Sequence, residues 1–271
     1  MLTNPPDELL ERASNGDPEA LQALLRSVQP QIYRFGLKMC RHEEDAEDVL
    51  QDTLLTIARS VKDFKGASSL STWLYAITRS ICIKRRRKSK FEPDGHASVE
   101  EGVVSDPKPT PDAELSQKQT WSVVAAAIRA LPVDQREVLM LRDVEGLSAK
   151  EVAEVVGQSE AAVKSRLHRA RSSLRVTLSN RPPAPSNPGC PDIHAIFSEH
   201  IEGTLDPQIC SRMEHHVMIC PDCASECAGL RETLSVCSSA PAEVPLDIQQ
   251  RIESCLAQVL AEPTLPTKET P

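Results

Sequence analysis

Apolar residues recur at helical spacing along most of this chain. In the first part they follow an i, i+3, i+4, i+7 stripe, which lies on one face of a helix. The members of this stripe are Leu21, Leu24, Leu25 and Val28. Asp17-Pro18 predicts the start of that helix, because Asp caps helices and Pro fits their first position. A second helix is predicted from Glu43 to about Val61, and a third after Ser71, which we expect to cap it.

A helix-turn-helix pattern occupies residues 131–178. Ser148 with Glu151 three positions later fits a capping box at the start of a short helix. Gly157 is expected to end that helix, and Ser159 can cap the longer basic helix that follows. A short helix, a turn containing Gly and a longer helix are the parts of a helix-turn-helix.

Two polar, Pro-rich stretches separate the helical patterns and indicate linkers. Aromatic residues make up only 3% of the chain and glycines are few, which favours helices over sheets. We therefore expect an all-α protein, with two helical domains joined by a flexible linker and a small helical domain after them. The expected segments are 15–91, a linker over 92–114, 115–179, a Pro-rich linker over 180–189, 190–238, and a tail over 239–271 with a helix at 244–260. The tail helix either docks on the body of the protein or binds a partner.

The net charge of −8 is unevenly distributed. Residues 186–271 carry 13 acidic and 4 basic side chains, whereas residues 1–185 carry 26 acidic and 27 basic ones. This asymmetry indicates different partners for the two parts, or one part that screens the other. The sequence contains no apolar run long enough for a membrane span, and its N-terminus lacks the pattern of a secretion signal. We expect a cytoplasmic protein without a membrane partner.

The helix after Ser159 is strongly basic. Within residues 160–175 one acid stands against five Lys or Arg side chains. We expect the polar members of this helix to face mostly outward, and they are Lys164, Arg166, His168, Arg169, Arg171 and Arg175. The major groove of DNA admits one α-helix, and its phosphates attract such cations. A solvated basic face is the alternative, but the helix-turn-helix context favours DNA binding.

A second basic track covers residues 79–90, with seven Lys or Arg and no acid. Phe64, Trp73 and Tyr75 precede it. Aromatic side chains beside a basic track suit melted DNA, because unstacked bases need π-faces and phosphates need cations. Packing of Trp73 in the core is an equally open interpretation.

Residues 45–88 resemble domain 2 of the extracytoplasmic-function (ECF) sigma factors of the sigma-70 family, and residues 131–175 resemble their domain 4. The resemblance implies two partners, core RNA polymerase and promoter DNA. Polymerase would be contacted through its β′ clamp helices and its β flap. The residues implied to dock on the clamp helices are Asp45, Asp48, Gln51 and Asp52.

The same resemblance implies contacts with two promoter elements. The −10 element would be contacted by Phe64, Lys65, Ser68, Ser69, Trp73, Arg79, Ser80, Lys84, Arg85, Arg86 and Arg87. The −35 element would be contacted by Ser159, Glu160, Ala161, Lys164, Ser165, Arg166, His168, Arg169 and Arg171. This chain departs from the family pattern at Ser80, where many relatives have Asn, so the preferred −10 bases do not carry over.

A metal-binding pattern, H-x3-C-x2-C, is formed by His216, Cys220 and Cys223. A His one helical turn before a Cys lies on the same face, and C-x2-C brings two thiolates to one metal. Zinc takes four tetrahedral ligands, and Cys190 is the best fourth candidate. The other candidates are His194, His215, Cys210 and Cys227. The layout resembles the zinc-binding anti-sigma fold, so we predict one Zn²⁺; reduced buried cysteines are the alternative.

Together these patterns predict a sigma factor that binds core RNA polymerase and directs promoter-specific initiation. The zinc-binding domain is expected to contact the sigma domains within the chain and to regulate them. The alternative is a helix-turn-helix regulator that does not replace sigma. An enzyme is not expected, because a closed Cys3His set leaves zinc no open position for a substrate.

Overall fold

The computed structural model describes five stretches of the chain, and every regular element within them is a helix. The described stretches are residues 7–40, 42–91, 123–179, 189–238 and 244–261. The predicted all-α fold is confirmed. The predicted linker over 92–114 lies outside the described residues, as does the linker over 180–189 except for its last residue. None of the described helices combines the length and apolar character that a bilayer span requires.

The helices follow one another along the chain with short connections where these are described. In order they are α1 (Asp7–Ser14), α2 (Pro18–Met39), α3 (Glu43–Ser60), α4 (Leu70–Phe91), α5 (residues 123–130), α6 (Val133–Leu139), α7 (Ala149–Val156), α8 (Glu160–Ser179), α9 (Ile193–Ile201), α10 (Pro207–Ile219), α11 (Pro221–Ser238) and α12 (Leu246–Ala261). A 3-10 turn, Val61–Asp63, follows α3, and a π-helical turn, Met140–Val144, continues α6.

Local capping signals set the ends of several helices as predicted. The Asp17 carboxylate accepts backbone hydrogen bonds from Glu19 and Ala20 at the start of α2. The capping box of Ser148 and Glu151 is formed at the start of α7. Gly157 ends α7 in the left-handed region, with a φ of 67°, which a side chain would disfavour.

The start of α4 differs from the prediction that Ser71 caps it. The cap is Ser69, whose hydroxyl accepts a hydrogen bond from the backbone N–H of Thr72 at 3.2 Å. Ser71 already lies inside the helix. Several serines stand at this point of the sequence, and only the path of the preceding loop decides which of them reaches the free N–H groups.

Two large apolar cores organise the chain. The first joins α1 to α4 and also takes in Val244, which precedes α12, and Ile248, Ile252 and Leu256 of α12. The second is built on α5 to α8 and also includes Phe35 and Tyr75 from α2 and α4 and Cys237 from α11. A third, small core lies between α9 and α11. Helices α2 and α4 thus contribute to the second core, as α11 does, and α12 contributes to the first.

A buried arginine joins α8 to the π-helical turn and to α9. Arg171 is 2% exposed, and its guanidinium lies 2.6 Å from Asp143 and 2.8 Å from Glu202. It also donates a hydrogen bond to the Ser198 hydroxyl at 2.7 Å. The prediction that Arg171 faces outward is therefore wrong, because two carboxylates from other elements compensate its charge inside the protein.

Replacing Arg171 with Leu is expected to lower the free energy of unfolding by about 3–5 kcal/mol, because Asp143 would stay buried without its cation and Glu202 would keep only Arg142. The measurement is chemical denaturation followed by circular dichroism. Arg169 lies two positions away on the exposed face of the same helix. The matched control Arg169→Leu should change the same quantity by less than about 0.5 kcal/mol. Equal effects of the two variants would contradict a structural role for Arg171.

Candidate metal centre and nucleic-acid interface

Four potential metal ligands converge where α9, α10 and α11 meet. Cys190 precedes α9, His216 lies in the last turn of α10, Cys220 ends α10, and Cys223 lies in the first turn of α11. One potential ligand atom of each residue lies within 4.8 Å of the others. The structure thus brings together the four residues that the sequence singled out.

The spacing of these atoms fits a tetrahedral zinc ion. The Sγ atoms of Cys190 and Cys220 are 3.8 Å apart, and Nε2 of His216 is 3.3 Å from Sγ of Cys223. Zinc bonds of about 2.3 Å to sulfur and about 2.0 Å to nitrogen place two tetrahedral sulfurs about 3.8 Å apart and a nitrogen about 3.5 Å from a sulfur. Donor set and geometry both suit Zn²⁺.

The two thiols of the C-x2-C motif differ in their surroundings. Hydrogen bonds from the backbone and the side chain of Cys223 lower the pKa of Cys220. Burial raises the pKa of the Cys223 thiol to about 12. A bound divalent cation acts against this second shift, because it stabilises the thiolate form of each ligand.

The other candidate ligands lie elsewhere. The ring of His194 contacts the Ser172 hydroxyl at 2.9 Å and the Glu226 carboxylate at 3.1 Å. His215 is exposed. Cys210 and Cys227 line a pocket between α9, α10 and α11, away from the four-residue cluster. His194 instead helps to join α9 and α11 to α8.

The basic helix α8 divides into two halves. Near its start, Ala161, Ser165 and Arg169 are exposed. Its second half is covered by the C-terminal helices, where Arg171 pairs with Glu202 and Arg175 lies 3.2 Å from Glu226.

The remaining predicted −35 residues belong to the first half of α8. The Ser159 hydroxyl caps the helix by accepting a hydrogen bond from the backbone of Ala162 at 3.2 Å. Lys164 and Arg166 are half-buried, and they pair with Glu160 and Asp134 at 2.6 and 3.5 Å. His168 is also half-buried. This half of α8 keeps most of its polar surface near solvent.

The residues predicted to contact the −10 element lie on the loop before α4 and along α4. Phe64 and Trp73 are in ring contact, with centroids 5.1 Å apart. Trp73 is only partly buried against the first core, so it packs there and still exposes part of its ring. The members that remain exposed are Lys65, Ser69, Ser80 and Lys84, while Ser68, Arg79, Arg85 and Arg86 are half-buried. The side chain of Arg87 lies outside the described residues.

Side chains of α6 and α7 contact two of these residues. Ser69 donates a hydrogen bond to Glu151 at 2.7 Å, and Arg79 pairs with Glu137 at 2.6 Å. Nothing in the sequence marked Glu137 or Glu151 as partners, because an interior glutamate and a solvated one look the same in a linear pattern. Glu137 is 6% exposed.

The predicted polymerase-docking residues lie on α3. Asp48 and Asp52 both pair with Arg85 of α4, the latter at 2.9 Å. Gln51 donates a hydrogen bond to the Cys255 sulfur of α12 at 3.2 Å. Asp45 is half-buried near the start of the helix. The tail helix therefore lies directly against this surface, a placement that the sequence left open.

Three stretches of the chain match known families. Residues 24–92 match the family described as Sigma-70 region 2, and residues 122–174 match Sigma-70, region 4. Residues 190–224 match a family described as a putative zinc-finger, and they contain all four clustered ligands.

Two curated relatives cover the first two stretches. The ECF RNA polymerase sigma factor SigM of Mycobacterium tuberculosis is 34% identical over 167 residues, which are 62% of this chain and 81% of that protein. The RNA polymerase sigma factor YlaC of Bacillus subtilis is 29% identical over 160 residues, 59% of this chain and 92% of that protein.

Among solved structures, the sigma factor RpoE in complex with the anti-sigma factor NepR from Bartonella quintana is 27% identical. The match covers 58% of this chain and 96% of that one, with a TM-score of 0.49.

The helical fold and the sequence matches define a transcription initiation protein of the sigma-70 type. The chain belongs to the family of ECF RNA polymerase sigma factors, and it carries a fused C-terminal segment of the zinc-finger family.

Purified full-length chain is expected to contain about one zinc ion, and Cys223→Ser should lose most of it because a tetrahedral site needs all four ligands. The measurement is metal content by mass spectrometry after dialysis. Cys210→Ser is the matched control, since Cys210 lies outside the cluster. Full zinc content in Cys223→Ser would contradict the assigned ligand set.

Proposed function

We propose that this protein binds core RNA polymerase and directs promoter-specific transcription initiation, and that its C-terminal part regulates this activity in cis. The observation that carries the proposal is the position of that part. Helix α12 lies on the predicted polymerase-docking face of α3, and α9 and α11 cover the second half of α8. Sigma factors are initiation factors and not enzymes, and this one would act in the cytoplasm with polymerase.

The promoter contacts follow from the exposed polar side chains. The first half of α8 presents Ser165 and Arg169 to solvent, which suits insertion into the major groove at the −35 element. The loop before α4 and the basic track along α4 suit the −10 element, because melted DNA needs aromatic faces and cations together. Arg79 and Ser69 become available there only when Glu137 and Glu151 move away.

The polymerase contact would use the acidic face of α3 on the β′ clamp helices, with region 4 on the β flap. Three contacts hold α12 beside that face. Arg251 lies 2.7 Å from Glu47, Arg26 of α2 lies 2.9 Å from Glu253, and Gln51 bonds to Cys255. The exposed ion pairs contribute little by themselves, so burial of the apolar stripe of α12 supplies most of the docking energy.

Zinc would serve as a structural staple for α9 to α11. The core between these helices is small, with Ile193, Phe197 and Leu230 as its buried apolar members besides Cys223. Such a unit gains much of its folding energy from a metal ion, because the site does not exist in the unfolded chain. Holding α9 and α11 together also keeps Glu202 and Glu226 positioned against α8.

The alternative, a helix-turn-helix regulator that does not replace sigma, accounts for region 4 alone. It leaves the Sigma-70 region 2 match and the acidic face of α3 without a role. The two hypotheses differ in whether the protein starts transcription with core polymerase in the absence of another sigma factor.

With core polymerase and genomic DNA fragments, the purified protein is expected to produce transcripts with defined starts, because a sigma factor supplies promoter recognition itself. Sequencing the 5′ ends of the transcripts measures this. Reactions with core polymerase alone give the background. If transcripts appear only after another sigma factor is added, the protein is a regulator and the proposal fails.

Replacing Ile252 with Asp is expected to raise the affinity for core polymerase at least about tenfold, because a charge in the buried stripe of α12 undocks it from α3. Competition binding to core polymerase measures the change. Ser254→Asp places the same charge on the exposed face of α12 and serves as the control. Equal affinities for both variants and the original chain would show that α12 does not restrict polymerase binding.

A further inference from the structure

Three glutamates of region 4 lie directly on region 2, and we call them the glutamate clasp. They are Glu137 of α6, Glu145 after the π-helical turn, and Glu151 of α7. Each one hydrogen-bonds or pairs with a side chain of α2, of α4 or of the loop before α4. These bonds join regions 2 and 4 without any side chain from residues 189–261.

Glu145 is the anchor of the clasp. Its side chain is fully buried, and it accepts hydrogen bonds from Arg34 at 2.7 Å and from the Tyr75 hydroxyl at 2.6 Å. Arg34 reaches both carboxylate oxygens, so the pair is bidentate. A buried carboxylate held this way fixes the orientation of region 4 on region 2, since any shift would leave it unpaired.

The other two glutamates engage side chains on the predicted promoter-facing side of region 2. Glu137 accepts from Arg79 at 2.6 Å, and Glu151 accepts from Ser69 at 2.7 Å and from Thr72 at 3.4 Å. An arginine and hydroxyl groups are the donors that commonly bind DNA phosphates. The carboxylates therefore occupy donors that a nucleic-acid backbone would use.

We propose that region 4 itself closes over the promoter-facing side of region 2 through the glutamate clasp, in direct competition with the phosphates of single-stranded DNA. This closure is separate from the cover that the C-terminal helices provide. It rests on the proposed function only in taking the basic side of α4 as a DNA surface. Opening exchanges Arg79–Glu137 for an Arg79–phosphate contact, so DNA shifts the chain toward the open form.

The test uses full-length variants and a labelled single-stranded oligonucleotide of about 20 nucleotides, a length that spans a basic track of this size. Glu145→Gln removes the anchor, and Glu137→Gln frees Arg79 with little change in shape. Glu154→Gln removes the same charge from the exposed face of α7 and serves as the control. Fluorescence anisotropy over a range of salt concentrations gives the affinity and its salt dependence.

Both clasp variants are expected to bind the oligonucleotide at least about fivefold more tightly than Glu154→Gln does. The plot of log affinity against log salt should steepen by about 0.7 for each new phosphate contact, which a change in net charge or stability alone would not produce. Hydrogen exchange of residues 69–80 should also rise. Affinities and slopes equal to those of the control would overturn the proposal, and Glu137→Gln decides the matter if Glu145→Gln does not fold.

Oligonucleotide binding also distinguishes closure by the glutamate clasp from the cover that the C-terminal helices provide. Ile252→Asp should leave oligonucleotide binding unchanged, because it undocks α12 and leaves the clasp intact. If Ile252→Asp alone tightens oligonucleotide binding, the C-terminal part covers the DNA surface and the clasp does not. Failure to initiate transcription with core polymerase would refute the proposed function and leave the clasp measurement valid.

Discussion

Two carboxylates at one short segment of region 4 hold three groups of helices together. Asp143 lies at the end of the π-helical turn and pairs with Arg171, and Glu145 two residues later pairs with Arg34. Both contacts are almost fully buried, so each charge must keep its partner or face a large desolvation cost. Glu202 of the C-terminal part shares Arg171, which ties that part to the same segment. Two residues apart at a helix end, these acids point to opposite sides, so each reaches a different group of helices.

This arrangement covers the predicted polymerase and DNA surfaces unequally. The acidic face of α3 lies beside α12, and α4 faces the glutamates of region 4. The first half of α8, in contrast, remains near solvent. In the proposed mechanism a chain closed in this way opens only when a ligand binds the open form more tightly, and core polymerase and DNA would be those ligands. Buried ion pairs suit such a switch, because their charges are compensated only in one closed geometry.

The local features of the chain were predictable because they depend on residues within one or two helical turns. The cap at Asp17, the capping box at Ser148 and the left-handed Gly157 all follow from hydrogen bonds to near neighbours. The metal cluster is similar, since three of its four ligands lie within eight consecutive residues. Cys190 was the distant one, and only its position before a predicted helix pair singled it out.

By itself, then, the sequence determined the helices, the caps at Asp17 and Ser148, the helix-turn-helix and three of the four candidate zinc ligands, because each of these depends on spacing between near neighbours. The tertiary structure alone decided which charges are buried. Arg171 and Glu145 look like ordinary surface residues in the sequence, and each is buried because partners from distant helices compensate it. The docking of α12 on α3 likewise depends on shape and apolar contact between segments about 200 residues apart. Pairing of that kind leaves no periodic signal, because its partners meet only when the chain has folded.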